Sequence, residues 1–282
     1  MFRHKVVFGT QPTVSMLTVG LFFLSSISSA MGGTDRSSAP DSMFQTGEEL
    51  TYNVSYASFD IGRIRINVTD SFVRNNETYY KASAFIDSYR GVPFVDLHAV
   101  YSSVMDQSVY STTFSARDKE NDRWREWTYS FDYPDSFVTI QENIWKQKKI
   151  IRSDTLHLDT LSQDGLSLFF LARRFLFERT IMNIPTFVSE KHGTTVIRFT
   201  GDHTSEKIEA VPYPIDLIHF EGKAGFVGVF GFSGDFEGWF SNDAARIPVL
   251  AKMKVLIGNV RIELTEWKRT GWMPPKYVKG VQ

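Results

Sequence analysis

The sequence contains no cysteine, and this absence excludes several classes of protein. Without thiols, the chain of 282 residues cannot form disulfides, bind zinc or iron–sulfur clusters through sulfur, or use a thiol nucleophile. A lipid anchor attached through a thioether is excluded for the same reason. The chain also lacks an excess of one charge, because 31 basic and 32 acidic residues leave a formal net charge of −1. Such a balance gives no long-range attraction for nucleic acid or anionic membranes.

Aromatic side chains are abundant: 24 Phe, 11 Tyr and 6 Trp together make up 15% of the residues. Hydrophobic residues make up 42%, which is more than disordered sequences carry. A chain of this length can bury a substantial core. We therefore expect most of it to fold.

Residues 1–30 have the composition of a secretory signal peptide. Arg3 and Lys5 give a basic start, residues 14–27 form an apolar run, and the small residues Ser28 and Ala30 precede the predicted cleavage site. The alternative is an uncleaved membrane anchor, but the apolar run is shorter than the roughly 20 residues that a spanning helix needs. No other stretch is long enough to span a membrane. Export without cysteine favours the bacterial periplasm or cell surface.

From Phe44 onward the dominant hydrophobic period is two, which is typical of strands with one buried face. Leu50, Tyr52 and Val54, for example, alternate with polar residues. The predicted strands cover residues 49–56, 63–68, 79–86, 98–105, 109–116, 123–133, 136–142, 144–151, 194–200, 207–211, 217–222, 247–257 and 260–267. Short strands with short connections predict an antiparallel meander.

Residues 163–178 break this alternation and predict one helix. Asp164 is a candidate N-cap, and Arg173 and Arg174 lie where the helix dipole favours cations. Apolar side chains surround most of the segment, so the helix should be covered on nearly all sides. We expect it to fill the concave face of a curved sheet.

Glycines and aromatic residues recur together between Gly225 and Phe240, and the rings include Phe230 and Phe232. Glycine at this density predicts bends or close approaches in a curved sheet, with large rings filling the space beside them. The rings either complete a packed core or surround an apolar ligand such as a lipid.

These patterns predict one domain. Residues 1–30 are the signal peptide, residues 31–43 a polar spacer, residues 44–268 the β-rich domain, and residues 269–282 a C-terminal tail without a pattern. The predicted fold class is mainly β, with a single curved antiparallel sheet or open barrel that wraps one apolar helix.

The sequence offers no strong catalytic or metal motif. The nearest approach to a nucleophile elbow, residues 231–235, has Asp235 where the second glycine should stand and lacks the following helix. Only His157 and Asp159 place two ligand-type side chains on one strand face, and two ligands do not make a metal site. We therefore predict no catalytic residue, no cofactor, no metal ion and no enzymatic activity.

Residues 237–249 are the most unusual local sequence. Trp239, Ser241 and Asp243 point to one side of an extended chain, and Arg246 returns close to Asp243 after a polar turn. We expect the carboxylate and the guanidinium to pair and fix the turn. A ligand-binding role for these residues is the alternative.

Three motifs follow one another along the chain. They are Phe44-x-x-Gly47-Glu48-x-Leu50-x-Tyr52, Asp164-x-x-Ser167 with Arg173, and Trp239-x-Ser241-x-Asp243-x-x-Arg246-x-Pro248 followed by Ile257-Gly258 and Leu264. Together they resemble the exported bacterial family called domain of unknown function 3108, over about residues 44–267. The resemblance implies an envelope-associated, mostly β protein, similar to the open barrel of lipoprotein carrier proteins. It implies no catalytic residue.

The sequence thus predicts an exported, non-catalytic protein of the cell envelope. Its aromatic-lined sheet would hold a lipid or another apolar ligand, or dock an envelope partner, and nucleic acid is not an expected partner. One alternative is a structural or interaction protein with a fully packed core. The other is an exported hydrolase whose active site assembles from distant residues.

Overall fold

The computed structural model describes residues 41–92, 96–120, 123–147, 149–226, 234–254 and 258–279. The predicted signal peptide, most of the spacer, Phe230 and Phe232 lie outside these ranges. The described strands are β1 (Glu49–Tyr56), β2 (Phe59–Arg74), β3 (Glu77–Ser88), β4 (His98–Met105), β5 (Ser111–Glu120), β6 (Arg123–Asp132), β7 (Phe137–Ile144), β8 (Lys149–His157), β9 (Ile181–Val188), β10 (Lys191–Glu206), β11 (Ile215–Ala224), β12 (Gly234–Ser241), β13 (Pro248–Lys254) and β14 (Asn259–Lys268). A 3-10 helix covers Asp41–Met43, and the α-helix α1 covers Ser167–Phe175.

All fourteen strands belong to one antiparallel sheet, and the pairing of β1 with β14 decides its topology. The strand order is β8-β7-β6-β5-β4-β3-β2-β1-β14-β13-β12-β11-β10-β9. β1 and β14 therefore lie at the centre, while β8 and β9, which are consecutive in the chain, form the two edges. The predicted fold class is confirmed: the sheet is an antiparallel meander that stays open between β8 and β9.

Side chains bridge the space between the two edges, which we call the seam. The Nε2 atom of His192 lies 3.0 Å from the carbonyl oxygen of His157. The guanidinium of Arg152 on β8 pairs with the carboxylate of Glu190, in the turn between β9 and β10. These contacts hold the edges near each other, and within the described ranges no ladder of backbone hydrogen bonds joins β8 to β9.

The connection from β8 to α1 occupies part of the free edge of β9. The N–H of Gln163 donates to the carbonyl of Pro185 at 2.9 Å, and the carbonyl of Gln163 accepts from the N–H of Phe187 at 2.8 Å. Proline is tolerated in a strand at an edge, where it removes no ladder hydrogen bond. Sequence periodicity did not predict β9 as a strand, because Pro185 and polar residues interrupt its apolar pattern.

Helix α1 is shorter than the predicted segment. It begins at Ser167 because Gln163 pairs with β9 and Asp164 forms the cap before the first turn. It ends at Phe175, although the apolar sequence continues. Phe170, Leu171 and other helix residues lie in the main hydrophobic core with side chains from both halves of the sheet.

Two predicted strands need correction. Residues 207–211 form an irregular turn, and Ile208 and Val211 are buried there as loop residues. Apolar residues that alternate with Lys207 and Glu209 gave the signal of a strand, but in the structure only Ile208 and Val211, three positions apart, are buried. The predicted strand 144–151 contains a turn at residues 145–147, where Lys146 has a φ of 72°. β7 therefore ends later, and β8 continues to His157.

Residues 269–279, where the sequence predicts a tail, follow an extended path that is bound to the domain. Trp272 is 9% exposed, and its indole N–H donates to Oδ2 of Asp243 at 2.8 Å. The N–H of Tyr277 donates to the carbonyl of Pro214 at 2.9 Å. One buried indole and backbone hydrogen bonds hold this segment, and neither gives a periodic sequence signal.

Glycines in β11 and β12 lie opposite large rings, as the sequence predicts for Gly238, whereas Gly222 precedes the predicted stretch and residues 227–233 lie outside the described ranges. Phe220 pairs with Gly238, and Gly222 pairs with Phe236. A Cβ atom on Gly238 would lie 2.3 Å from Cζ of Phe220, and one on Gly222 would lie 2.4 Å from Cζ of Phe236. Each ring therefore occupies the space that a side chain on the opposite residue would need.

Candidate functional site

Residues from all three sequence motifs meet around α1. We call Glu48, Asp164, Arg173, Asp243 and Arg246 the helix-docking site. Glu48 precedes β1, Asp164 precedes α1, Arg173 belongs to α1, and the last two lie in the turn between β12 and β13. Residues almost 200 positions apart in sequence thus contribute to one site.

The buried ion pair between Arg173 and Glu48 is the centre of this site. Nη1 of Arg173 donates to Oε1 of Glu48 at 2.7 Å, and Nη2 donates to Oε2 at 3.2 Å. Nη2 also donates to the carbonyls of Met43 at 2.7 Å and Ala245 at 2.9 Å. The two side chains are 0% and 1% exposed. One guanidinium therefore connects α1 to the start of the domain and to the β12–β13 turn.

A second cation, Arg269, contacts the same carboxylate. Nη1 of Arg269 donates to Oε2 of Glu48, and Nη2 donates to the carbonyl of Ser42 at 2.5 Å. The Tyr52 hydroxyl lies in the same surroundings and donates to the carbonyl of Pro248 at 3.1 Å. Burial raises the pKa of Tyr52 well above its usual value, so the phenol remains a hydrogen-bond donor.

Asp164 forms the cap of α1 and is fully buried. Its Oδ1 accepts from the N–H groups of Leu166 at 2.6 Å and Ser167 at 2.7 Å, and the Ser167 hydroxyl accepts from the N–H of Asp164 at 2.8 Å. This is the reciprocal arrangement of a capping box. Oδ2 accepts from the hydroxyls of Ser103 at 2.6 Å and Ser111 at 2.5 Å. Burial raises the pKa of Asp164, and the hydrogen bonds partly offset that rise.

The carboxylate of Asp243 organises the turn between β12 and β13. Oδ1 accepts from the hydroxyl of Ser241 at 2.9 Å and from the N–H groups of Ala245 at 2.9 Å and Arg246 at 3.0 Å. Oδ2 accepts from the indole of Trp272. One side chain thus fixes the turn and attaches the C-terminal segment.

The guanidinium of Arg246 extends to the end of α1 and not to Asp243, which corrects the prediction that these two side chains pair. Nη1 donates to the carbonyl of Arg173 at 3.0 Å and to that of Arg174. The last carbonyls of a helix lack intrahelical partners and attract cations. The group also lies 4.6 Å from the ring centre of Phe177, and burial lowers its pKa.

A family model described as a protein of unknown function (DUF3108) matches residues 51–265. The chain belongs to this family. A search of curated proteins finds no match.

Two solved structures resemble the DUF3108 chain at low sequence identity. One is a β-barrel-like protein of the domain of unknown function DUF1849 from Brucella abortus, with 11% identity and a TM-score of 0.50 over 79% of this chain and 97% of that chain. The other is described as an exported protein with a YmcC-like fold from Bacteroides fragilis, with 10% identity and a TM-score of 0.36 over 80% and 97%. The first similarity supports a β-barrel-like fold. In the described part of the DUF3108 chain, no helix is long and apolar enough to cross a membrane.

Trp239, the remaining predicted site residue among those described, packs between neighbouring strands. It is 6% exposed, and its ring lies 4.9 Å from that of His219 on β11. Nζ of Lys252 on β13 lies 4.6 Å from the ring centre. These contacts make Trp239 a cross-strand packing residue.

Sequence reasoning missed several partners of the helix-docking site, chiefly Ser103, Ser111, Arg269 and Trp272. Ser103 and Ser111 are fully buried. Ser103 interrupts an otherwise apolar face of β4, a signal that could have indicated a buried polar partner. Arg269 and Trp272 lie in a segment without periodicity, so their sequence context gives no comparable signal.

A second group of buried polar side chains lies beside the seam. Gln163 pairs with Thr186 of β9 in a parallel bridge, and Thr195 belongs to the adjacent strand β10. Nε2 and Oε1 of Gln163, Oγ1 of Thr186 and Oγ1 of Thr195 have no hydrogen-bond partner among the described residues. The three residues are at most 1% exposed.

Proposed function

We propose that this DUF3108 chain is a non-catalytic protein of the bacterial cell envelope that acts by binding a partner on its surface. The observation that carries the proposal is that the side chains of the motif residues bind other groups of the same protein. Glu48, Asp164, Arg173 and Asp243 bind one another's segments and the backbone around α1. Apart from Nε of Arg173, which has no hydrogen-bond partner among the described residues, their polar side-chain atoms bind groups of the protein itself.

The serine–carboxylate contacts favour a non-catalytic role. Ser103, Ser111 and Ser241 are 0% exposed, and each hydroxyl donates to a buried or half-buried carboxylate. A nucleophile needs access to substrate and a base that accepts its proton. These hydroxyls instead stabilise the cap of α1 and the β12–β13 turn.

Contacts among the aromatic rings favour a packed core over a ligand cavity in this part of the molecule. A continuous series of ring contacts extends from the N-terminal segment to β10. The centroid distances are 5.3 Å for Phe44–Phe170 and for Phe170–Phe169, 6.1 Å for Phe169–Phe240, 4.8 Å for Phe240–Phe220 and 5.6 Å for Phe220–Phe199. Rings at these separations satisfy one another's packing.

The proposed location, the periplasm or the cell surface, rests on the sequence of residues 1–30. A basic start, an apolar run and small residues before a cleavage site are the features that direct export. Without cysteine, the exported domain relies on its core and on the helix-docking site for stability.

A second candidate function is the binding of a lipid or another apolar ligand inside the sheet. The specific observation in its favour is the group formed by Gln163, Thr186 and Thr195, whose buried polar atoms could bind the polar end of such a ligand. Among the described residues, the Arg152–Glu190 ion pair and the contact of His192 with the His157 carbonyl join the seam, and its opening would give access from the side.

Native mass spectrometry of the protein purified from its own envelope, followed by organic extraction, distinguishes the two candidates. Surface binding with a packed core predicts protein free of small molecules. A stoichiometric lipid that is lost on Gln163→Leu substitution, but retained in the exposed control Gln147→Leu, would establish the second candidate and contradict the first.

A further inference from the structure

Strand β8 pairs with β7 on one side and, among the described residues, with no strand on the other, where the seam contacts of Glu190 and His192 reach it. All nine residues from Lys149 to His157 are exposed. Three of them are large and apolar: Ile150, Ile151 and Leu156 are 52%, 48% and 36% exposed. An exposed edge of this kind is a template for pairing with another strand.

The backbone groups at this free edge can be assigned. The N–H of Leu158 donates to the carbonyl of Ser136, next to β7, at 3.0 Å. Because successive residues of a strand direct their backbone groups to opposite sides, Ser153, Thr155 and His157 direct theirs away from β7. The contact between the His157 carbonyl and His192 agrees with this assignment and lies at the far end of the strand.

We infer that two copies of this chain associate through antiparallel pairing of their β8 strands, with the two-fold axis at Ser153. Ser153 then faces the partner's Ser153 in a hydrogen-bonded pair, because its backbone groups point outward. Arg152 faces the partner's Asp154, and Asp154 faces the partner's Arg152. The sequence of β8 is therefore complementary in charge to itself.

Neighbouring registers lack this complementarity. A shift of the axis to residue 154 places Asp154 opposite the partner's Asp154. A shift to residue 152 places two arginines opposite each other. Like charges directly opposite across a strand pair are destabilising, whereas opposite charges stabilise the pair. Charge therefore selects Ser153 as the centre.

Apolar residues on both sides of this centre add to the association. The β7–β8 ladder shifts register between Glu142 and Asn143, next to Ile150 and Ile151. With the axis at Ser153, Ile150 lies opposite the partner's Leu156, and Ile151 lies opposite the partner's Thr155. Burial of three exposed apolar side chains per copy stabilises the dimer through the hydrophobic effect.

The existing contacts of Arg152 can be exchanged. Its guanidinium contacts Asp154 and Glu190 of its own chain, and these groups are 31% to 46% exposed. The partner strand would also replace the seam contacts of Glu190 and His192. Exposed ion pairs contribute little to stability, so exchange of these contacts for those to the partner costs little. The inference does not depend on the proposed function, because a ligand-binding protein could dimerise through the same edge.

Sedimentation velocity over a concentration series measures the dissociation constant of the dimer, and variants that exchange the charges at residues 152 and 154 test the inference. The wild-type chain should form dimers. Asp154→Arg should weaken dimerisation at least about tenfold, because it places arginines opposite each other twice per dimer. The double variant Arg152→Asp/Asp154→Arg restores opposite charges and should return the dissociation constant to near the wild-type value. Asp235→Arg, at an exposed position on β12, is the control and should have no effect.

A single introduced cysteine tests the position of the axis. The chain has no other thiol, and a hydrogen-bonded pair of antiparallel residues has Cα atoms about 5.5 Å apart, within the range of a disulfide. Ser153→Cys should therefore form disulfide dimers on mild oxidation. Ser71→Cys, exposed on the interior strand β2, should form far fewer.

Three results would overturn the inference. They are a wild-type chain that stays monomeric at every concentration, a dimer that Asp154→Arg leaves unchanged, and equal disulfide formation at positions 153 and 71. Retention of the wild-type far-ultraviolet circular dichroism spectrum by each variant separates loss of association from loss of folding.

Discussion

At the scale of single residues, the most consequential feature is one buried carboxylate that forms ion pairs with two arginines. Glu48 neutralises Arg173 and Arg269 in a region from which water is excluded. Removal of charged groups from water is costly, and the geometry offsets that cost only while all partners are present. The stability of the domain therefore depends strongly on this one side chain.

Glu48→Gln should lower the free energy of unfolding by about 3–5 kcal/mol, because it leaves two buried guanidiniums without a counter-charge. Urea denaturation followed by tryptophan fluorescence measures the loss. The control is Glu49→Gln, which removes the neighbouring half-buried carboxylate, a hydrogen-bond acceptor of Asn67, and should cost about 1 kcal/mol or less. Equal effects of the two substitutions would contradict the proposed role of Glu48.

Asp164 should make stability depend on pH in an unusual direction. Because burial raises its pKa above the value of about 3.9 in the unfolded chain, the folded state binds the proton more tightly. This contribution is complete below about pH 3.9 and is lost as the pH rises through the folded-state pKa. Relative to Asp164→Asn, the wild-type free energy of unfolding should therefore decrease as the pH increases from about 4.

Urea titrations of both proteins at several pH values measure this difference. If the free energy of unfolding of the wild type, relative to Asp164→Asn, instead increased with pH, the hydrogen bonds to the carboxylate would lower its pKa by more than burial raises it. In that case the hydrogen bonds from the serine partners would be tested next, starting with Ser103→Ala.

At the scale of elements, the pairing of glycines with rings shapes the β11–β12 pair. Phe220 lies against Gly238, and Phe236 lies against Gly222. On this face of the two strands, each ring therefore lies beside a residue without a side chain. The alternation allows bulky side chains to share one face of a strand pair without collision. The density of glycine and phenylalanine in the sequence predicted this feature, although it could not predict which glycine faces which ring.

Gly238→Ala should destabilise the domain by about 1–3 kcal/mol, because the new methyl group requires the Phe220 ring to move. Gly165→Ala is the matched control, since no atom lies within 4 Å of its added Cβ, and it should change stability by less than about 1 kcal/mol. Thermal unfolding measures both effects. In a Phe220→Leu background, the cost of Gly238→Ala should become smaller.

The limits of α1 illustrate why element boundaries were harder to predict. The apolar pattern from 163 to 178 is continuous, but the helix covers only Ser167–Phe175. Its start depends on Gln163, which bonds to β9, and the carbonyls near its end are bound by Arg246. Strand β9 and Arg246 both lie outside the helical segment in the sequence, so the local apolar pattern contained no information about these contacts.

At the scale of the whole molecule, the first and last strands meet at the centre of the sheet. β1 pairs with β14, and the segment after β14 returns to the β12–β13 turn through Trp272 and Asp243. The N-terminal segment reaches the same region through Glu48 and Arg173. The described segments before β1 and after β14 therefore both contribute to the stability of the fold.

Trp272→Ala should lower the free energy of unfolding by about 3–5 kcal/mol, because it removes a buried indole and a hydrogen bond to Asp243. Met273→Ala, at the next position and 63% exposed, should change stability by about 0.5 kcal/mol or less. Denaturant midpoints measure the two effects. A small effect of Trp272→Ala would mean that the C-terminal segment contributes little to stability.

The sequence by itself determined the fold class and the meander, because burial of one face of each strand produces alternating polarity along the chain. It also determined the family, because the three motifs can be recognised along the chain without the structure. It also identified Asp164, Arg173, Asp243 and Arg246 as members of the three motifs. Only the tertiary structure decided what these residues bind: Arg246 binds the end of α1, and Asp243 binds Trp272. A charged side chain takes whichever partner the packing of distant segments brings within reach, and that choice is not encoded in its neighbours along the chain.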